Sequence, residues 1–485
     1  MIGLDDSSLF HEACLIGGVW STASTGKVLD VTTPETQARL GSVPMLDRTE
    51  VAGAVAAAHD RFSTWSRTTA QDRAELLRAW YELILENARD LGRILSAEQG
   101  KPWAEGIGEI NYAASFIRWF SEEARRLYGD VIPSNSVNRR FLVLKQPIGV
   151  VALITPWNFP AAMITRKAGA ALAAGCTAVI KPASATPYTA LALADLGQRA
   201  GIPAGVLNVV TGSARVIGDE LTENVLVRKL SFTGSTEVGR QLLAKCSQTV
   251  KNVSMELGGN APFIIFDDAN LDDAVQGVMA SKFRNAGQTC VCANRIFVHD
   301  AIYDTFAAML SKAVAELRVG PTFAEGSEIG PLIDAAAVDK VREHIDDALK
   351  KGATVLTGGG LHELGGTYFK PTVLANVTVD CAVMNEETFG PLAPLIRFGH
   401  EDDVIAMANA TEYGLASYVY TNDLNRSWRM AEALECGIVG INEGATSTEL
   451  GPFGGFKQSG LGREGSKFGV DDYLEVKFVN IGNVR

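Results

Sequence analysis

Two residues are best suited to chemistry. One is Cys290, in Phe283-Arg284-Asn285-Ala286-Gly287-Gln288-Thr289-Cys290-Val291-Cys292, and the other is Glu256, in Glu256-Leu257-Gly258-Gly259-Asn260. A thiolate adds to an electrophilic carbon, and a separate carboxylate can activate the water that releases the acyl group. Asn158, between Trp157 and Phe159-Pro160, is an amide in a stiff aromatic turn; it suits a fixed oxyanion donor or an Asx-type turn cap. A cysteine alone is more often a small buried apolar residue, so the weight falls on the combination. The glycine pair beside Glu256 lets another group approach the backbone closely. Cys292 could mask Cys290 as a disulfide, or simply pack.

Five short apolar runs position these residues, each ending in a polar or glycine-bearing turn: Val150-Ile154, Ala178-Ile180, Val206-Val210, Lys229-Phe232 and Val253-Met255. The turns begin at Thr155, Lys181, Thr211, Thr233 and Glu256, at intervals of 26, 30, 22 and 23 residues. That spacing accommodates a strand, a crossover helix and the next parallel strand. Ligands of an open parallel sheet lie beyond the carboxyl ends of its strands, so Trp157, Asn158, Lys181, Ser184, Gly212, Ser235 and Glu256 are expected around one crevice. Gly234-Ser235-Thr236-Glu237-Val238-Gly239 opens a helix and can offer N–H groups to a phosphate, although it is not a GxGxxG fingerprint.

Helical patterning fills about 49–127, and a second strand-helix alternation runs from Leu271, with a helix to about Asn285 and a strand Arg295-His299. Arg139-Lys145 and Tyr473-Val479 are strand-like segments outside both alternations, suited to edge pairing or subunit exchange. The expected fold is α/β: a Rossmann-type parallel-sheet cofactor domain (1–127 and 148–258), a second α/β catalytic domain (259–459) carrying the cysteine, and a small β oligomerisation element (128–147 and 468–485).

The 485 residues exceed one ordinary core. With 44 basic against 56 acidic residues, a net charge of -12 and no basic run, the chain is a poor match for nucleic acid or an anionic membrane. Arginines inside apolar segments therefore gain interest as local anion-binding groups. Seven scattered cysteines without a CxxC pair fit a reducing cytosol, and no signal peptide or membrane span is evident. None of the six histidines lies near the cysteines, so no metal site is expected.

Together these segments resemble the aldehyde dehydrogenase superfamily over essentially the whole chain. The specific pieces are Pro156-Trp157-Asn158-Phe159-Pro160, Lys181-Pro182-Ala183-Ser184, Phe232-Thr233-Gly234-Ser235-Thr236, Glu256-Leu257-Gly258-Gly259-Asn260, Gly287-Gln288-Thr289-Cys290 and Glu386-Glu387-Thr388-Phe389-Gly390-Pro391. The resemblance implies that Cys290 is the nucleophile, Glu256 the general base, Asn158 the oxyanion donor and Glu464 a proton relay. It implies nucleotide contacts at Thr155, Pro156, Trp157, Lys181, Ser184, Gly212, Thr233, Gly234, Ser235 and Leu257, with Glu387 and Phe389 at the nicotinamide ribose. Within the superfamily the chain is most similar to succinate-semialdehyde dehydrogenases, through Ile164-Thr165-Arg166-Lys167, Lys282-Cys292 and Gly460-Lys467. That likeness implies a small aldehyde substrate whose terminal carboxylate is gripped by Arg166, Arg284 and Ser447. It also implies a cytoplasmic homodimer or homotetramer. Thr446 replaces an apolar residue usual in its loop, which leaves chain-length preference open and keeps glutarate semialdehyde as an alternative. Serine rather than a carboxylate at Ser184, with Lys181 nearby, favours NADP over NAD while admitting both. A cysteine hydrolase would want a histidine partner that is not evident, and a catalytically dead structural protein would not need Cys290, Glu256 and Asn158 together.

Overall fold

The computed structural model describes residues 2–484. The five apolar runs form strands β1 (Val150–Ile154), β2 (Thr177–Lys181), β3 (Leu207–Val209), β4 (Val227–Thr233) and β5 (Asn252–Glu256). They lie parallel in the spatial order β3-β2-β1-β4-β5. Every residue of β1 and β2 is buried, which explains why they read as continuous apolar runs rather than alternating ones. The chain leaves β1 toward β2 on one side and returns to β4 on the other, so the crevice between the ends of β1 and β4 is the topological switch point.

The crossover helix Ala162–Ala174 is rich in alanine, buried on all sides, and stopped by Gly175 in the left-handed conformation (φ 94°). It packs on helix Trp103–Glu123 so tightly that a Cβ on Gly169 would sit 3.0 Å from the Phe120 ring. Three further helices, Arg48–Trp65, Ala70–Glu86 and Ala88–Gln99, account for the N-terminal helical patterning.

The sheet is wider than the sequence suggests. Cys14–Ile16 pairs antiparallel with β3 and forms a hairpin with Val19–Ser21, while Gly460–Leu461 pairs with β5 at the opposite edge. The second alternation builds a seven-stranded sheet, with β6 (Ala261–Ile265), β7 (Ala293–His299), β8 (Thr354–Thr357), β9 (Thr372–Ala375), β10 (Leu392–Phe398), β11 (Ala416–Tyr420) and β12 (Ile438–Ile441) in the order β8-β9-β10-β7-β6-β11-β12. It surrounds a core of its own, including Phe263, Phe297 and Leu395.

The two lone strand-like segments pair with each other: Leu474–Ile481 lies antiparallel to Arg140–Pro147 in continuous register from Leu474↔Pro147 to Ile481↔Arg140, with Asp130–Ile132 on the outer side. This arm exposes Val131, Val476 and Phe478.

The helix expected to reach Asn285 ends at Lys282 instead. Asn285, Ala286 and Gly287 then take positive φ values of 51°, 54° and 75°, a conformation no right-handed helix can contain. Among the described residues no helix is long and apolar enough to cross a membrane.

Candidate active site

The left-handed turn at 285–287 redirects the chain so that Cys290 comes up beside the end of β5. Two close approaches fix it. A Cβ on Gly287 would lie 2.2 Å from the Gly390 carbonyl oxygen, and one on Gly259 would lie 2.4 Å from that of Cys290, so neither position accommodates a side chain. The Gly259 N–H donates to Glu387 Oε1 at 3.1 Å. The glycine pair beside Glu256 is thus where the cysteine loop and the Glu387 carboxylate both close on the backbone.

Asn158 follows β1 between two prolines and is 4% exposed. Its Nδ2 donates to the Gln288 carbonyl at 3.0 Å, while its Oδ1 has no hydrogen-bond partner. Its own main-chain carbonyl accepts from Lys101 Nζ (2.8 Å) and Asn285 Nδ2 (3.0 Å). Neither Lys101 nor Asn285 was singled out from the sequence.

Two cavities meet at the thiol. The larger, about 210 Å³, lies at the switch point between Pro156, Trp157 and Asn158 on one side and Thr233, Gly234 and Ser235 on the other, with Leu257, Glu387 and Phe389 completing it. Trp157 and Phe389 meet edge to face, with ring centroids 5.5 Å apart. The smaller, a narrow cavity of about 20 Å³, lies on the other side of Cys290 among Tyr112, Phe159 and Phe453 and contains Arg166, Arg284 and Ser447. Only Met163 and Cys290 line both.

In the narrow cavity, Arg166 is 2% exposed, donates to the Tyr112 hydroxyl at 2.8 Å, and leaves Nε and Nη1 without hydrogen-bond partners. Its Nη1 stands 3.5 Å from Glu464 Oε2 in an ion pair. Arg284 lies over the Phe159 ring at 4.7 Å and makes no ion pair among the described residues.

Along the carboxyl edge of the first sheet, Thr155 and Thr233 each bury a hydroxyl that has no partner. Lys181 Nζ reaches only the Pro182 carbonyl, at 2.8 Å; burial pushes its pKa down to about 8, and no carboxylate offsets the effect. Ser184 is exposed in the next turn, and Gly212 (φ 140°) lets the Leu46 backbone approach. Two N–H groups expected to be free are already engaged: Gly234 donates to the Glu256 carbonyl and Val238 to the Ser235 hydroxyl, which caps helix Thr236–Cys246. Leu257 donates its N–H to Ser459.

Of the titratable groups around the thiol, Glu256 and Glu464 are buried, while Glu387 and Cys290 itself are half-buried. Glu256 is 2% exposed, and neither of its oxygens has a hydrogen-bond partner. Burial, and after it the charge of Glu464, holds its pKa well above the usual carboxylate range, against the pull of Lys167 and Arg166. Glu464 is ion-paired with Lys167, a residue the sequence displayed next to Arg166 without assigning it a task. Burial pushes Glu387 up to about 8. The Cys290 thiol is pushed up to about 12 by burial and then by Glu387, with Arg166 pulling the other way. Cys292 is a separate free thiol, 1% exposed, with Sγ turned to the Lys282 carbonyl at 3.5 Å.

The sequence pattern of the aldehyde dehydrogenase family matches residues 20–479. The chain is 60% identical over 479 residues to the succinate-semialdehyde dehydrogenase (NADP(+)) of Escherichia coli, covering 99% of each chain. It is 60% identical over 478 residues to the glutarate-semialdehyde dehydrogenase of Pseudomonas putida, again covering 99% of each. Its fold superposes with a TM-score of 0.98 on a crystal structure of an E. coli NADP dependent enzyme at 60% identity, covering 99% of this chain and 100% of that one.

Proposed function

The chain belongs to the aldehyde dehydrogenase family, and we propose that it oxidises a short aldehyde with a terminal carboxylate, succinate semialdehyde first among them, using NADP⁺ in preference to NAD⁺. One observation carries the substrate assignment: behind Cys290, in an aromatic-lined cavity of an acidic protein, lie two guanidinium groups, Arg166 with its Nε unpartnered and Arg284 without an ion pair among the described residues. A planar fork of N–H donors matches a carboxylate.

The larger cavity suits the dinucleotide. The unpartnered Thr155 and Thr233 hydroxyls and the Lys181 ammonium can receive its polar groups, and Trp157, Glu387 and Phe389 border the thiol end. With serine at Ser184, no carboxylate at that position repels a 2′-phosphate. A bound nicotinamide supplies the hydride acceptor that converts the cysteine adduct to a thioester.

The chain's own residues do the rest. Arg166, Arg284 and Ser447 hold the substrate carboxylate, and Cys290 Sγ bonds to the aldehyde carbon. Asn158 Nδ2 and the Cys290 N–H take the charge on the aldehyde oxygen; losing one such donor typically removes ~3 kcal/mol of transition-state stabilisation. Glu256 accepts a proton from the water that attacks the thioester, releasing the carboxylate product and regenerating Cys290. Lys167 and Glu464 lie within charge range of Glu256 and suit passage of that proton onward.

Glutarate semialdehyde is the second reading, favoured by the equal identity to the P. putida relative and by Thr446 in the loop bordering the narrow cavity. The arm strands Asp130–Ile132, Arg140–Pro147 and Leu474–Ile481, which expose Val131, Val476 and Phe478, suit assembly into a homodimer or homotetramer. Seven free cysteines suit a reducing cytoplasm.

The test is reduced-nicotinamide formation across aldehydes of increasing length with and without a terminal carboxylate. The carboxylated members are expected to lead by at least ~10-fold in kcat/KM, as charge-assisted contacts of ~1.5–3 kcal/mol require. Equal rates for propanal and succinate semialdehyde would refute the assignment.

A further inference from the structure

The turn joining helix Ala88–Gln99 to helix Trp103–Glu123 is remote in sequence from every residue assigned above, yet its side chains grip both reactive loops. Gly100 ends the first helix at φ 94°. Just before it, Gln99 Nε2 donates to Asn285 Oδ1 at 3.0 Å. Just after it, Lys101 Nζ donates to the Asn158 carbonyl at 2.8 Å, forms an ion pair with Glu109 at 2.5 Å and lies 4.0 Å above the Phe159 ring. Glu109 Oε1 in turn accepts the Ala161 N–H at 2.9 Å. The side chains of Lys101 and Glu109 are each 1% exposed.

A buried ion pair is weak evidence of added stability, because desolvating both charges offsets most of their attraction. Here the pair is aimed at one main-chain unit, from Asn158 to Ala161. The Asn158 carbonyl accepts two donors, Lys101 and Asn285, and Asn285 Nδ2 also reaches the Gln288 carbonyl at 3.3 Å. The Asn158 turn and the Cys290 loop are therefore pinned to each other with the help of Lys101 and Asn285, neither of which lines either cavity.

Resting on the aldehyde-oxidation reading, we infer that Lys101 is a positioning residue for the oxyanion donor: with Glu109 it fixes the Asn158 main chain at a constant spacing from the Cys290 loop. Sub-ångström placement governs this kind of catalysis, and a misplacement of about 1 Å can cost ~100-fold in rate.

The experiment uses the full-length protein with Lys101→Met and Glu109→Gln combined, which removes the ammonium without stranding the Glu109 carboxylate and leaves an oxygen for the Ala161 N–H. The variant is expected to lose ~10- to 100-fold in kcat, with KM for succinate semialdehyde within about threefold, NADP⁺ affinity unchanged and iodoacetamide alkylation of Cys290 unchanged. A folded variant that keeps its kcat overturns the inference, as does a loss confined to KM or matched by slower alkylation. Should the pair not fold, Asn285→Gly decides: it keeps the left-handed backbone and deletes the second donor to the same carbonyl, so the same kcat-selective loss supports the inference and an unchanged kcat overturns it. Each variant is also assayed with p-nitrophenyl acetate, which acylates cysteine and is hydrolysed without nicotinamide or a carboxylate grip. If the wild-type protein cleaves this ester but oxidises no semialdehyde, the substrate reading fails, and the ester kcat of the variants still decides the role of Lys101.

Discussion

Glu256 and Glu464 lie close enough for the charge of the second to oppose charge on the first, yet only Glu464 has ion-pair partners, Lys167 and Arg166. Glu256 is left desolvated and unbonded. A group in that state is a strong acceptor once it loses its proton, which is the property a water-activating base needs.

Glu256→Gln therefore has two expected effects of opposite sense. Mixed with semialdehyde and NADP⁺, the variant gives one burst of reduced nicotinamide and then turns over ~10²- to 10⁴-fold more slowly than wild type. Its stability moves the other way with pH. The folded pKa of Glu256 is raised, so wild type loses stability as pH climbs from the unfolded value near 4.5 through the folded one. Glutamine carries no such penalty and breaks no hydrogen bond, so the variant should melt at or above the wild-type temperature at pH 8 and show no advantage near pH 4.5. Thermal melts across that range check this, and a variant destabilised most at high pH contradicts it.

Cys290 should behave as a reluctant thiol in the free enzyme. With its pKa near 12, iodoacetamide alkylation should rise by ~10-fold per pH unit from pH 7 to 10 without levelling off. Above pH 8, where Glu387 is ionised, Glu387→Gln removes the leading charge that opposes the thiolate and should speed the reaction; Arg166→Met removes the charge that favours it and should slow it. Mass-spectrometric timing at Cys290 reads both, and a plateau below pH 9 would mean the burial argument is wrong.

Arg284→Leu should lower kcat/KM for succinate semialdehyde by ~10- to 100-fold while leaving propanal almost untouched, because the lost contact is to the carboxylate and not to the reacting carbon. A parallel fall for both aldehydes would assign Arg284 to the architecture of the cavity instead.

Ser184→Asp should depress kcat/KM for NADP⁺ by ~10- to 100-fold through repulsion of the 2′-phosphate and spare NAD⁺. Titration of both cofactors at fixed aldehyde decides it; an unchanged ratio would place the phosphate elsewhere.

The five parallel strands were legible because strands buried on both faces announce themselves as short apolar runs, and their polar ends marked the switch-point crevice. Cys290, Glu256 and Asn158 could be singled out because each sits in such an end or in a glycine-bearing loop. The strand Cys14–Ile16 was not legible, because three residues carry no periodicity and its partner, Val209, lies nearly two hundred positions away. The same holds for the arm, whose two long strands look unpartnered until the chain closes. Lys101 and Glu109 were hidden for a different reason. On a helix-rich stretch they resemble solvated surface charges, and only the tertiary structure reveals that both are buried, Lys101 against Asn158 and Glu109 against Ala161.

The meeting of two chambers at one sulfur atom has a practical corollary. Since Met163 and Cys290 are the sole walls shared by the two cavities, a dinucleotide bound in the larger and an aldehyde bound in the narrower, as proposed, would meet only there. Inhibitors should accordingly fall into two families that compete with one ligand each, and a compound threaded past Met163 would compete with both.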